Sequence, residues 1–492
     1  MKMMKNIVSG LLLISLAACS DGFEELNKNP NNAEQATPAQ LLTNAQYNFS
    51  VNIADEWNNG RMGMYYAQYW SSTYYSEESR YQIREPSNQD MWDTFYADVL
   101  AQLKESQRLE LLEKKEGYEN RIAIDEIIKA YTFHFLTDIY GPIPYSEALN
   151  PDDVTPKYDL GEEVYAGILK TLDEQIKILD IDLPGHENGD IVYHGNVAAW
   201  KKFANSLRLR VALRMVDVKP AEATEAIKKS LDPASGGVIS TQEESAALNW
   251  LPATPNNNPM NESFKIRADF SMSKPFIDYL KMYHDPRLPV FAQPLLNSNE
   301  YVGEVYGLRN GNGSSNGNRA VVSLPSSYAI GAQAPTVWMD LAEVKFIFAE
   351  IAARGLNVGL TGTAEQYYKE GITANMHFAG LNDAAIATYL KKVPYVAAKW
   401  KDSIGSQKWI ALYTQGIQGW LERLRLDFKD PSSGKPIFAL PADGSLDPKV
   451  TDVSKRMSYP LTESSLNGDN FRTAVTKLGG NTKAVRNWWD KF

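Results

Sequence analysis

Between Ile124 and Ile139, apolar residues recur at the helical period (Ile124, Ile127, Ile128, Tyr131, Phe135, Ile139) until Gly141-Pro142 stops the run. The same spacing returns at Val164, Ile168, Leu172, Ile176 and Leu179, and again at Trp200, Phe203, Leu207 and Val211. Capping signatures mark the starts. Thr37-Pro38-Ala39-Gln40 offers a cap, a proline suited to the first turn and a glutamine to close a capping box. Asp159-Leu160-Gly161-Glu162 and Thr363 with Gln366 read alike, and Gly355 and Gly380 suit helix C-termini. Further helices are expected at Trp338–Arg354, Ala364–Ala379 and about Gln407 to Asp427. Trp338 to Ile351 is apolar nearly all round, so that helix should be central. The expected class is mainly α, with paired helices forming a scaffold and few short strands.

Between about Leu231 and Pro335 the helical period fades and Pro, Asn and Gly crowd in, notably at Pro252–Pro259 and Asn310–Asn318. A long irregular insert over 231–335 is expected, with short strands near Tyr301–Leu308 and Ala320–Leu324. Segments of this length in a compact protein are often binding loops or lids.

The N-terminus carries a different signal. Lys2 and Lys5 precede an apolar run, Ile7 to Ala18, that ends in Leu16-Ala17-Ala18-Cys19. A basic head, a short apolar segment and small residues before a cut describe a secretory signal over 1–18. The run is too short to span a bilayer. Leu-Ala-Ala-Cys resembles a bacterial lipobox, in which Cys19, the chain's only cysteine, is acylated and becomes the new N-terminus. Residues 19–36 then form a polar tether, expected to be flexible, and 37–492 a single binding domain. Removing residues 1–18 takes two of the 50 basic side chains and none of the 60 acids, moving the formal charge from −10 to −12. That balance argues against a nucleic-acid partner, whose phosphates need a basic surface.

Several segments, taken in order, resemble the SusD/RagB family of nutrient-binding outer-membrane lipoproteins, in its SusD-like branch. They are Phe23-Glu24-Glu25-Leu26-Asn27 with Asn29-Pro30-Asn31; Leu136-Thr137-Asp138-Ile139-Tyr140-Gly141-Pro142-Ile143-Pro144-Tyr145; Tyr158-Asp159; and Trp200-Lys201-Lys202-Phe203-Ala204-Asn205 through Arg210. Asp285-Pro286-Arg287, Ala342-Glu343-Val344, Ala349-Glu350, Gln407-Lys408-Trp409 and Arg456-Met457-Ser458-Tyr459-Pro460 complete the series. The resemblance implies a tetratricopeptide-like helix-pair scaffold and a lipid anchor at Cys19. It also implies a place on the outer membrane, facing the cell surface, and a lid role over a SusC-like TonB-dependent transporter. The ligand would be a glycan or other oligomer handed over for import, without catalysis and without a cofactor. Acidic residues after the cysteine (Asp21, Glu24, Glu25) resemble the export tags of surface-displayed lipoproteins. The family's binding residues vary, so none transfers to a numbered position here.

Read from the residues themselves, catalytic patterns are weak. Gly313-Ser314-Ser315-Asn316-Gly317 matches a nucleophile elbow, which needs a strand before it and a helix after it; here it lies in a run of Asn, Gly and Ser and reads as a loop. The five histidines form no metal pattern, no EF-hand spacing occurs, and His134 reads as a core residue. Glu343 and Glu350 share one helix face in an apolar segment, and each is expected to pair with an arginine such as Arg208 or Arg210, because buried charges need partners. A surface-attached glycoside hydrolase and an adhesin for host polymer stand as alternative readings.

From Tyr65 to Tyr81, seven of 17 residues are aromatic where the chain's 11% implies about two. Tyr65, Tyr66, Tyr69 and Trp70 fall on one helix side and read as core. Tyr74, Tyr75 and Tyr81 follow among Ser, Glu and Arg and read as solvent-facing. Sugars present apolar C–H faces and hydroxyl edges, so a glycan site needs rings for the faces and fixed polar groups for the edges. The ligand-binding candidates are therefore Tyr74, Tyr75 and Tyr81, with Tyr306 and Trp338 from the later region and Arg80 for hydrogen bonds.

Overall fold

The structure is a computed structural model and describes residues 36–311 and 314–492; the signal segment, Cys19, nearly all of the tether and Gly313 lie outside the described residues. Helix α1 (Pro38–Asn52) begins as its sequence requires: Thr37 N donates to Gln40 Oε1 at 2.9 Å and Gln40 N to Thr37 Oγ1 at 3.3 Å. A π-helical segment, Glu56–Met64, and strand β1 (Trp70–Ser72) follow. Helix α2 (Glu85–Asp93) continues through a wide turn, Thr94–Leu100, into α3 (Ala101–Glu113). Then come α4 (Tyr118–Tyr140), an antiparallel pair of two-residue strands, β2 (Ile143–Pro144) with β3 (Tyr158–Asp159), α5 (Gly161–Ile178), α6 (Val197–Arg214) and α7 (Pro220–Leu231). From α3 to α7 each helix packs on the next, which gives the tetratricopeptide-like stack.

The insert is less irregular than its composition suggests. It contains β4 (Ala246–Leu248), α8 (Pro259–Ile266), β5 (Phe270–Met272) and α9 (Lys274–Met282). The strands expected near 301–308 and 320–324 are instead single bridges, Ser273 to Glu304 and Ala292 to Pro325. Two strand pairs tie the insert to the scaffold. β1 pairs antiparallel with β5, and β4 pairs with β6 (Thr336–Met339). Trp338 is thus on a strand, not at the start of a helix, and Asp340 caps α10 (Leu341–Ala353) by accepting Glu343 N at 2.8 Å. Helix α11 (Ala364–Phe378) and α12 (Asp383–Leu390) follow.

The single helix expected over 407–427 is two, α13 (Trp400–Ala411) and α14 (Gly416–Leu426). The break follows from a close backbone crossing. A Cβ on Gly416 would stand 2.4 Å from Met64 N, and one on Gly63 would stand 2.6 Å from Ile417 N. Two glycines facing each other let the π-segment pass the start of α14. Asp159 also departs from expectation. Its carboxylate takes Ser146 N and Oγ, while Glu163 accepts Leu160 N at the head of α5. Near the C-terminus α15 (Gly468–Leu478) packs by β3. Among the described residues no helix is long and apolar enough to cross a membrane.

The shared motifs turn out to be interior polar staples. Arg456 donates to Tyr140 O at 2.9 and 2.6 Å, satisfying a carbonyl that the end of α4 leaves free, and Tyr459 Oη donates to Pro142 O at 2.6 Å. Arg210 forks onto Glu343 (2.7 and 2.6 Å) and also reaches Trp338 O. Arg287 holds Asp285, Asn375 and Gln407. Glu350 meets Arg425 and Arg354, whereas Arg208 serves Asp173. One apolar cluster runs continuously from Leu42 to Trp489 around these staples.

Burial pushes the Asp340 carboxyl up to about 6, against the pull of the Glu343 amide and Arg210. Its folded value lies above the ordinary 3.8, so folding takes up a proton and this group's contribution to stability is lost as pH rises from about 4 to 7. Asp340→Asn keeps a capping oxygen without the charge. Thermal unfolding at pH 4, 6 and 8 should show the variant gaining on the parent as pH rises, by up to about 3 kcal/mol. A constant difference across that range would refute the assignment.

Candidate glycan-binding face

The pairing of β1 with β5 decides where the surface aromatics go. Trp70 lies opposite Met272 and Ser72 opposite Phe270, so the loop after β1 runs beside the loop before β5. Thr73 N donates to Asp269 O and Thr73 Oγ1 to Ala268 O, at 3.0 and 2.6 Å. Tyr74 and Tyr75 are thereby set next to Arg267. The π-segment supplies the other side. Asp55 caps it by accepting Asn58 N at 2.6 Å, and the Gly60 N to Asp55 O bond marks its wide turn. Trp57 and Arg61, four apart, fall side by side.

Three rings and three guanidinium groups interleave here. The Arg61 guanidinium carbon lies 4.7 Å from the Trp57 ring centre and 5.4 Å from that of Tyr75. Arg84 sits 4.9 Å from each of the same two rings. Arg267 lies 4.5 Å from Tyr74 and 4.9 Å from Tyr75. Trp57 and Tyr75 are 36% and 40% exposed and present apolar surface to solvent. Tyr75 also has φ of +59°, a left-handed conformation that a tyrosine rarely takes and that is concentrated at functional sites.

Each guanidinium is paired with a carboxylate. Arg61 pairs with Glu56 at 2.7 Å and Asp269 at 2.6 Å; Arg84 pairs with Glu78 at 2.9 Å; Arg267 forks onto Asp269. Burial raises the Glu78 carboxyl above its ordinary value, with Arg61 and Arg84 opposing the shift. Glu77 is exposed beside them, and the Arg84 and Arg267 side chains are partly exposed. The glycine- and serine-rich loop borders this face. Ser314 Oγ donates to Thr73 O at 3.1 Å, and Ser315 N to Glu304 at 3.2 Å. Ser315 is thus held by a carboxylate, and among the described residues no strand precedes or helix follows it. Among the described residues no cluster of His, Cys, Asp or Glu is suited to hold a metal ion.

Four of the six residues picked from the sequence are elsewhere. Tyr81 is buried against Tyr66 and donates to Asp452 O. Arg80 anchors a neighbouring loop through Gly444 O and Asp443 O. Tyr306 is buried, and its carbonyl accepts Ala442 N. Trp338 is fully buried beside Phe49, with Nε1 donating to Ser50 Oγ. A ring with no exposed face has none to offer a ligand. Tyr74 and Tyr75 are at the surface, joined by Trp57, Arg61, Arg84 and Arg267, which the sequence pattern did not single out. The available signal was Trp57 itself, an aromatic flanked by Asp55-Glu56 and Asn58-Asn59.

A family model, SusD-like, described as "Starch-binding associating with outer membrane", matches residues 30–460. Comparison with functionally curated proteins returns no match. Among solved structures, a chitin-binding protein shares 27% identity over 93% of this chain and 100% of its own, with a TM-score of 0.81. A chitin-binding SusD homolog from Flavobacterium johnsoniae is 25% identical over 92% of this chain and 98% of its own (TM-score 0.78). A SusD homolog from Bacteroides uniformis is 25% identical over 92% and 99%, also at 0.78. With 431 consecutive residues under one family model and the helix-pair scaffold in place, the chain belongs to the SusD-like family.

Proposed function

We propose that this protein is a surface-exposed, lipid-anchored binder that captures an oligosaccharide on the face of Trp57, Tyr74 and Tyr75 and delivers it to a SusC-like TonB-dependent transporter. The observation that carries the reading is the set of surface rings separated by guanidinium groups, which offers stacking area for sugar faces and fixed donors for hydroxyls. The chitin-binding names of two structural neighbours point to an uncharged glycan. Residues 37–492 act as one binding domain in this reading. The protein itself catalyses no step. Glu343 and Glu350, the acid pair weighed from the sequence, are each committed to arginines and buried. Cys19 carries the lipid, and residues 19–36 give the domain reach over its partner.

Affinity purification of the full chain from its native outer membrane tests this. It should retain a TonB-dependent transporter and bind an uncharged oligosaccharide, while Cys19→Ser should release the chain from the cell surface. Continued surface attachment of Cys19→Ser, or absence of any transporter from the purified material, would refute the anchoring and delivery roles.

A further inference from the structure

The three guanidinium groups of the face converge on one ring. Arg61, Arg84 and Arg267 lie 5.4, 4.9 and 4.9 Å from the centre of Tyr75. That ring is exposed and stands on a left-handed backbone, so the arginines around it, rather than a packed core, hold it in place. Two of the three are held in turn by Asp269. Its Oδ2 accepts Arg61 Nη2 at 2.6 Å and Arg267 Nη2 at 2.9 Å, and its Oδ1 accepts Arg267 Nε. The Asp269 side chain is 8% exposed, against 42% for Arg267. Its carbonyl accepts Thr73 N, two residues before Tyr75. Glu56 takes Arg61 as well, at 2.7 Å, and also accepts Ser263 Oγ at 2.6 Å. The series Arg267, Asp269, Arg61, Glu56 therefore joins the insert to the π-segment that bears Trp57.

Resting on the glycan reading above, we propose that Asp269 is the positioning residue of this face: without touching the ligand, it sets Arg61 and Arg267 so that Tyr75 meets a sugar ring already oriented. An exposed tyrosine without such neighbours samples several rotamers, and binding has to select one of them. A ring held beforehand is spared that cost. The carboxylate is needed as such. Both of its oxygens accept guanidinium N–H groups, and an asparagine in its place turns an NH2 towards one of the arginines, donor against donor. Arg267 is the one released, since it is the more exposed, whereas Arg61 keeps Glu56.

Calorimetric titration with a chito-oligosaccharide tests this through a double-mutant cycle. Asp269→Asn should weaken binding about tenfold in the parent and less than about twofold in a Tyr75→Ala background, because an effect exerted through the ring vanishes with the ring. Arg267→Ala leaves both ion pairs of Arg61 in place and gives the same comparison should Asp269→Asn fold poorly. Its loss should be a few-fold and should also shrink without Tyr75. A loss of equal size in both backgrounds is what a general structural disturbance produces, and it would overturn the positioning role, as would parent-like binding by Asp269→Asn. Glycan capture is reported separately by Tyr75→Ala alone. Binding of that variant like the parent, or no binding by the parent, would overturn the glycan reading itself.

Discussion

Trp57→Ala combined with Tyr75→Ala should weaken oligosaccharide binding by a few hundred-fold while moving the thermal unfolding midpoint by no more than a few degrees. A ring that anchors a ligand typically contributes about 2 kcal/mol, a factor of about 30, and two such rings approach about 4 kcal/mol. Both side chains are more than a third exposed, so their loss opens no cavity. The cation–π contact to Arg84 that disappears is small at a surface position, and the buried Arg61 keeps its ion pairs with Glu56 and Asp269. Tyr81→Ala is the contrasting variant. Its ring is buried against Tyr66, and removing it should cost about 3–5 kcal/mol of stability without a direct effect on the ligand face. If the double variant binds as the parent does, the exposed rings are not the site.

The second large effect lies in the scaffold. Glu350→Ala should destabilise the protein by about 3–5 kcal/mol, because it strands buried arginine charge. Glu350 is fully buried and receives Arg425 through two bonds of 2.6 Å and Arg354 through one of 2.8 Å. The Arg425 guanidinium holds the Glu350 carboxyl below its ordinary value in spite of the burial. Arg425 also pairs with Glu422, which in turn meets Lys408. Loss of one carboxylate thus unbalances a network linking α10, α13 and α14. Glu105→Ala, which opens an exposed pair with Arg108, should leave the unfolding midpoint in place. Equal effects from the two substitutions would contradict this account.

Sequence periodicity carried the scaffold well because amphipathic helices write their contacts locally. Thr37, Pro38 and Gln40 start α1, and Gly141 ends α4, where their patterns indicate. The break between α13 and α14 was hidden because its cause is distant: Gly63 meets Gly416 across the fold. The insert was hidden for a related reason. Its strands are three residues long and pair with partners such as β1, far away in the chain, so no local alternation announces them. At the proposed binding face, Tyr74 and Tyr75 are visible as aromatics among polar residues. Tyr81 shares that setting and is buried, since its ring packs on Tyr66 and its hydroxyl reaches Asp452 O, a partner far along the chain. Arg267 joins the face only through the register of β1 with β5, which no pattern in the sequence reports.

The central claim is that the Trp57–Tyr75 face holds the ligand. A crystal structure of the protein with a bound chito-oligosaccharide tests it most directly. The account predicts sugar rings against Trp57 and Tyr75. Ordered sugar confined to another concavity, such as the groove of about 900 Å³ between α5 and α7 at Leu169, Met215 and Ala226, with Trp57 and Tyr75 bare, would contradict it.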